Sequence, residues 1–250
     1  MDSALAALAR DIRERRVIPP APQSKLGIGD KDLTDPVLVH EDIGLPASFV
    51  IEYVDLGGTI TERVVTLQAF EGGAEARRFV AYCYLRKDYR RFLAGSINRM
   101  FGLDGQPLDP DEHLGFLFGL SAEREGDDRL VWAMSIVMFV ARVDGEFHTL
   151  ERDAVVQILG EFLARFDQSK SGDKARESAE IDPHLAEVVF GFAPSGEHVL
   201  HAIERLREEP DFVEMSEFLI DALDRIVDAD GEQHGEELIW FGDLVEALQP

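Results

Sequence analysis

Two groups of residues in this 250-residue chain have the types and spacing to do chemistry, and they carry opposite charge. The first is residues 77–99, where seven cations (Arg77, Arg78, Arg86, Lys87, Arg90, Arg91 and Arg99) stand against one acid, Asp88. That is a local charge of +6 in a protein whose formal charge is −24. Four rings, Phe79, Tyr82, Tyr84 and Tyr89, are interleaved with the cations. Guanidinium groups beside aromatic faces suit a phosphate, a stacked base or another polyanion. The second group is a repeat. Residues 144–151 (Asp-Gly-Glu-Phe-His-Thr-Leu-Glu) and 230–237 (Asp-Gly-Glu-Gln-His-Gly-Glu-Glu) agree at five of eight positions, 86 residues apart.

The repeated acids admit two kinds of chemistry. Asp144, Glu151, Asp230 and Glu237, with His148 or His234, are oxygen and nitrogen donors for a divalent cation: Ca²⁺ or Mg²⁺ by the oxygens, Zn²⁺ with the histidines. A standard EF-hand loop is excluded. With Gly231 at its sixth position, Ile226 falls at the first, and the other copy puts Val140 and Arg142 at the first and third. The other reading is local. Asp-Gly makes a turn, and Glu151 and Glu237 in the next helix's first turn bond back to its unpaired N–H groups. Sequence alone leaves both readings open.

No catalytic pattern accompanies these groups. The chain has no Gly-x-Ser-x-Gly, no phosphate-cradling glycine loop and no His-Glu-x-x-His. Its one cysteine, Cys83, lies in an apolar stretch and cannot form an intramolecular disulfide. Residues 1–126 carry 15 bases and 20 acids, whereas residues 127–250 carry 10 and 29. The second half should repel nucleic acid and anionic membrane, so polyanion binding would be local to the basic stretch. No secretory signal or bilayer-length apolar run is visible, and the expectation is a soluble cytoplasmic protein with no membrane span.

The elements that must position these residues change character along the chain. Residues 3–16 predict an amphipathic helix, and residues 17–44, with four prolines, a linker. Alternating segments at 49–54 and 62–67 flank Asp55-Leu56-Gly57-Gly58-Thr59, a hairpin signature. Further strands are expected at 79–85, 89–93 and 97–101, with Arg86, Asp88, Arg90 and Phe92 alternating onto one face. Five short strands in about sixty residues suit a small, strongly bent barrel. After a boundary at 102–110 the period is helical to the end. Residues 130–141 are apolar nearly all round, Ser195 is a helix cap, and Phe212, Met215, Leu219, Ala222 and Ile226 trace one helix face.

Residues 45–105 resemble the WYL domain. The likeness is carried by Ile51-x-Tyr53, glycines, Arg63-x-Val65, Tyr82-Cys83-x-x-Arg86-x-Asp88-x-Arg90-x-Phe92 and Ile97. The triplet that names the family stands here as Arg78-Phe79-Val80, and Ser96 stands where an arginine often precedes the final isoleucine. The resemblance implies an SH3/Sm-like barrel that senses a nucleotide or nucleic acid through basic and aromatic residues. Arg86 and Arg90 occupy the matching positions, with Arg63, Tyr82 and Arg91 beside them. Residues 111–250, through the doubled apolar helix ending in Asp-Gly and followed by Glu, resemble the tellurite-resistance TerB-like helical fold. That resemblance implies a helical bundle around acidic turns proposed to bind metal, in stress and phage-defence systems.

The expectation is therefore an α+β protein: a helix and linker (1–44), an SH3/Sm-like β-barrel (45–108) and an all-α bundle with an internal two-fold repeat (109–250). A non-enzymatic sensor or adaptor with a nucleotide or single-stranded nucleic acid ligand and a protein partner is the expected function. The rival is a metal-dependent hydrolase built on the paired acidic turns, which requires an open metal position in a cleft.

Overall fold

A computed structural model describes residues 3–15, 45–55, 57–71, 78–122, 129–143, 147–166, 181–229, 231 and 235–249. These form eight α-helices and one antiparallel six-stranded sheet, divided between two compact units. One unit holds α1 (Ser3–Arg15), α3 (Arg129–Val140), α4 (Thr149–Phe166), α5 (Pro183–Phe190), α6 (Gly196–Leu206), α7 (Phe212–Val227) and α8 (Gly235–Leu248). The other holds β1 (Ser48–Val54), β2 (Ile60–Glu71), β3 (Arg78–Cys83), β4 (Asp88–Leu93), β5 (Ile97–Phe101), β6 (Pro107–Leu108) and α2 (Pro110–Ala122). This grouping differs from a division at residue 108: α1 goes with the helices and α2 with the sheet. The expected linker at 17–44 lies outside the described residues.

The sheet order is β4-β3-β2-β1-β5-β6, which leaves β4 and β6 as edges. Hydrogen bonding does not close it, so the expected barrel is corrected to an open sheet. The sheet is nonetheless strongly bent. Tyr53 on β1 meets Phe92 on β4 edge to face at 5.2 Å, although two strands separate them in the sheet order. A 3₁₀ turn (Ala94–Ser96) then carries the chain from β4 to β5, which pairs with β1. The β1–β2 turn is fixed locally: Asp55 Oδ1 accepts from Gly57 N (2.8 Å) and Thr59 N (2.9 Å), and Gly58 takes φ 80°. Only glycine adopts that backbone at little cost.

Both sheet faces are covered, as pairing parity makes plain. Phe49, Ile51, Val65, Phe79 and Phe92 share one face, where Phe79 stacks on Phe92 at 5.4 Å and Phe49 meets His113 of α2 at 5.9 Å. Val50, Val64, Tyr82 and Phe101 share the other, and with Tyr84 and Leu103 they form a second small core.

In the helical unit α3 is central. Apolar nearly all round, it is buried along most of its length and packs on α6 above all, with α4, α5, α7 and α8 around it. α1 lies on α6 and α8. Its approach to α6 requires Gly196, because a Cβ there would stand 2.6 Å from Ile12 Cγ2. Ser195 caps α6 as its position predicts, and His198 completes a capping box. The expected stripe on α7 is realised, with Met215, Leu219, Ala222 and Ile226 buried.

Helix ends in this unit are closed by the chain's own arginines. The buried Arg129 donates from Nη2 to Phe166 O at the end of α4 (3.0 Å). Arg142 Nη2 donates to Phe190 O at the end of α5 (2.5 Å), and Arg207 Nη2 to Ala247 O near the end of α8 (2.7 Å). Each places a cation where carbonyls lack helical partners and the helix dipole is negative.

Candidate functional site

The basic stretch folds as the β3–β4 hairpin, held by the pairs Tyr82↔Tyr89 and Cys83↔Asp88. Arg86 and Lys87 form its tip, where Arg86 N bonds to Cys83 O (3.0 Å) and Lys87 N to Tyr84 O (3.3 Å). Lys87 takes φ 52°, the left-handed conformation that costs a side-chain-bearing residue about 1 kcal/mol. Strand alternation then deals the remaining cations to both sides. Asp88, Arg90 and Phe92 share one face; Tyr89, Arg91 and Leu93 share the other.

The five residues expected to contact a ligand are thereby sorted. Arg86 and Arg90 are exposed, and among the described residues neither has an ion pair or a side-chain hydrogen bond. Arg91 is exposed too, but its Nε donates to Glu71 Oε1 at 2.5 Å, and that bond raises its already high pKa. Arg63 and Tyr82 are buried, which corrects their expected place at a surface. Arg63 Nε donates to Thr61 Oγ1 (2.9 Å), and its guanidinium lies over Tyr53 at 5.4 Å. Tyr82 stands edge to face with Tyr84 (5.1 Å) and Tyr89 (5.4 Å). The interleaved tyrosines thus build core, and burial followed by the nearby Tyr82 raises the Tyr89 phenol's pKa. Arg86 does not share the face of Asp88, Arg90 and Phe92 as expected, because it sits in the turn.

Two further exposed cations, Arg78 and Arg99, belong to this unit. Arg99 stacks on Phe101 at 4.9 Å, a placement the β5 alternation already implies. The backbone beside the cations is partly closed. Tyr89 N donates to Asp88 Oδ1 (2.8 Å) and Leu93 N to Tyr53 Oη (3.4 Å), so side chains occupy part of the β4 edge.

Of the acidic turns, Asp144, Asp230 and the side chain of Glu237 lie outside the described residues. Glu151 is buried in the first turn of α4, where its Oε2 accepts from His148 N at 2.6 Å. That is the back-bond of a helix N-cap, and Glu237 holds the equivalent position in α8. Among the described residues no three His, Cys, Asp or Glu side chains gather as metal ligands. The first turn is instead flanked by cations. Phe147 lies between Arg142 (4.7 Å) and Arg152 (6.0 Å), and Arg152 also covers Phe190 at 4.3 Å and pairs with Glu187 at 3.8 Å. The residues in register with Arg142 and Arg152 in the second copy are Asp228 and Leu238.

Comparison of the chain with family models, with curated proteins and with solved structures finds no match. Among the described residues no helix is long and apolar enough to cross a membrane.

Proposed function

We propose that this protein is a non-enzymatic sensor or adaptor that binds a nucleotide or single-stranded nucleic acid at the β3–β4 hairpin. The observation that supports this reading is the exposure of Arg86 and Arg90 without an acidic partner among the described residues. An exposed guanidinium offers a planar fork of donors that matches phosphate oxygens, and it loses little solvation when they arrive. The resemblance to the WYL domain runs through these same two positions. In this reading the acidic helical unit, similar to the TerB-like fold, reports occupancy of the hairpin to a protein partner in a stress or phage-defence response. The test is titration of a labelled single-stranded oligonucleotide at low salt. Arg86→Ala combined with Arg90→Ala should weaken binding at least tenfold, since two charge-assisted contacts are lost together, with the melting temperature unchanged. Equal binding by wild type and variant would refute it.

The metal-dependent alternative draws no comparable support, since Glu151 already serves as a helix cap. The chemistry it would need is tested below through that cap.

A further inference from the structure

Resting on the reading above, we infer that the hairpin recognises a linear phosphate chain and is indifferent to the bases. A site that reads bases needs an open aromatic face or polar groups aimed at base edges. The rings around this hairpin are largely covered by the protein, Tyr89 being half-buried. Tyr82 and Tyr84 are 6% and 7% exposed, and the Tyr82 ring meets Tyr84 at 85° and Tyr89 at 73°. The Tyr53 ring is occupied by Arg63 and Phe92, and Phe101 by Arg99. The tip presents cations and the exposed apolar Leu85. Asp88, the carboxylate between them in sequence, opposes an anion but is turned to its neighbour's backbone, accepting from Tyr89 N.

What remains exposed is charge. Arg86 lies in the turn and Arg90 in β4, two residues beyond Asp88. Exposed guanidinium groups on one hairpin suit phosphate oxygens, and contacts to phosphate carry no information about sequence. Nucleic-acid backbone and inorganic polyphosphate share that chemistry, so both are predicted ligands.

The experiment uses the full chain and three probes of matched length: a labelled single-stranded DNA, the same backbone made abasic, and an uncharged peptide nucleic acid. Inorganic polyphosphate is the competitor. The abasic strand should bind within about twofold of the intact one, and the uncharged strand should not bind. Stacking of even one base is worth about fivefold or more. A loss beyond fivefold for the abasic strand, with the intact one still bound, would overturn base indifference and leave the proposed function standing. Binding of neither strand would overturn both. Competition by polyphosphate supports the phosphate chain in general, whereas abasic binding without competition assigns the site to the phosphodiester backbone. In every supporting case Arg86→Ala with Arg90→Ala must weaken the abasic probe at least tenfold; an unchanged affinity would overturn the assignment to this hairpin.

Discussion

The arginines of the two units differ in use, although Arg63 and Arg91 of the sheet unit are bonded as those of the helical unit are. From α3 to α8 all seven described arginines, residues 129, 142, 152, 165, 205, 207 and 225, bond to a carboxylate or a helix-end carbonyl. In the sheet unit Arg78, Arg86 and Arg90 are exposed and engage no acid among the described residues. The chain's acid excess lies with the paired set, and its partners come mostly from neighbouring helices, as in Arg165–Glu214 and Arg225–Glu161. In the β3–β4 hairpin Arg86 and Arg90 are left to solvent among the described residues. Under the proposed function a paired arginine reports on stability, whereas Arg86 and Arg90 report on binding.

The largest effect expected from that contrast is at Arg129. Its buried guanidinium meets Asp211 (3.3 Å), Glu209 (4.0 Å) and the carbonyl of Phe166. Arg129→Met strands those acceptors and should cost about 3 kcal/mol in urea unfolding, with oligonucleotide affinity unchanged. A stability change below about 0.5 kcal/mol would break the contrast at its strongest point.

A comparable cost is set by pH at the α6 cap. Burial, followed by repulsion from His201, lowers the His198 pKa from 6.5 to about 4. Its Nδ1 accepts from Ser195 N (3.1 Å), which requires that nitrogen to be unprotonated. The unfolded chain therefore binds the proton more tightly. The stabilisation is complete above pH 6.5 and is lost as pH falls from there toward 4, on the order of 3 kcal/mol in total. His198→Gln keeps an acceptor at the capping-box position and should flatten stability between pH 7 and 5. An unflattened profile would assign the dependence to other groups.

The acid turns give the smallest predicted change. Glu151→Ala should cost about 0.5–2 kcal/mol, whereas Glu151→Gln, which keeps an acceptor for His148 N, should cost much less. Under the capping reading Ca²⁺, Mg²⁺ or Zn²⁺ should raise the melting temperature no more than matched ionic strength does. A metal-specific rise that Glu151→Gln removes would restore the cation reading.

Much of this architecture is legible in the sequence because local patterns and tertiary packing agree. The Asp55–Thr59 hairpin, the apolar α3, the Ser195 cap and the α7 stripe each follow from residues close in the chain. What is not legible depends on distant partners. Alternation places Tyr82 on one sheet face, but only the packing of Val50, Val64 and Phe101 decides that this face is a core. Arg63 reads as a surface cation until Tyr53 and Thr61 enclose it. β6 is two residues, too short for any periodicity, and β2 extends to Glu71 because β3 continues the ladder past an irregularity between Leu67 and Ala69. Of the site, Arg86 and Arg90 were legible because their exposure follows from the turn and edge strand that carry them.

The central claim is that those two arginines are held for phosphate, and its most direct test is salt dependence. Affinity for a single strand falls with the logarithm of salt concentration by about 0.7 for each phosphate neutralised. Replacing Arg86 and Arg90 together by alanine should therefore flatten the slope by about 1.4, while Arg129→Met leaves it unchanged. A wild-type slope near zero, or one that survives the double substitution, would contradict the account.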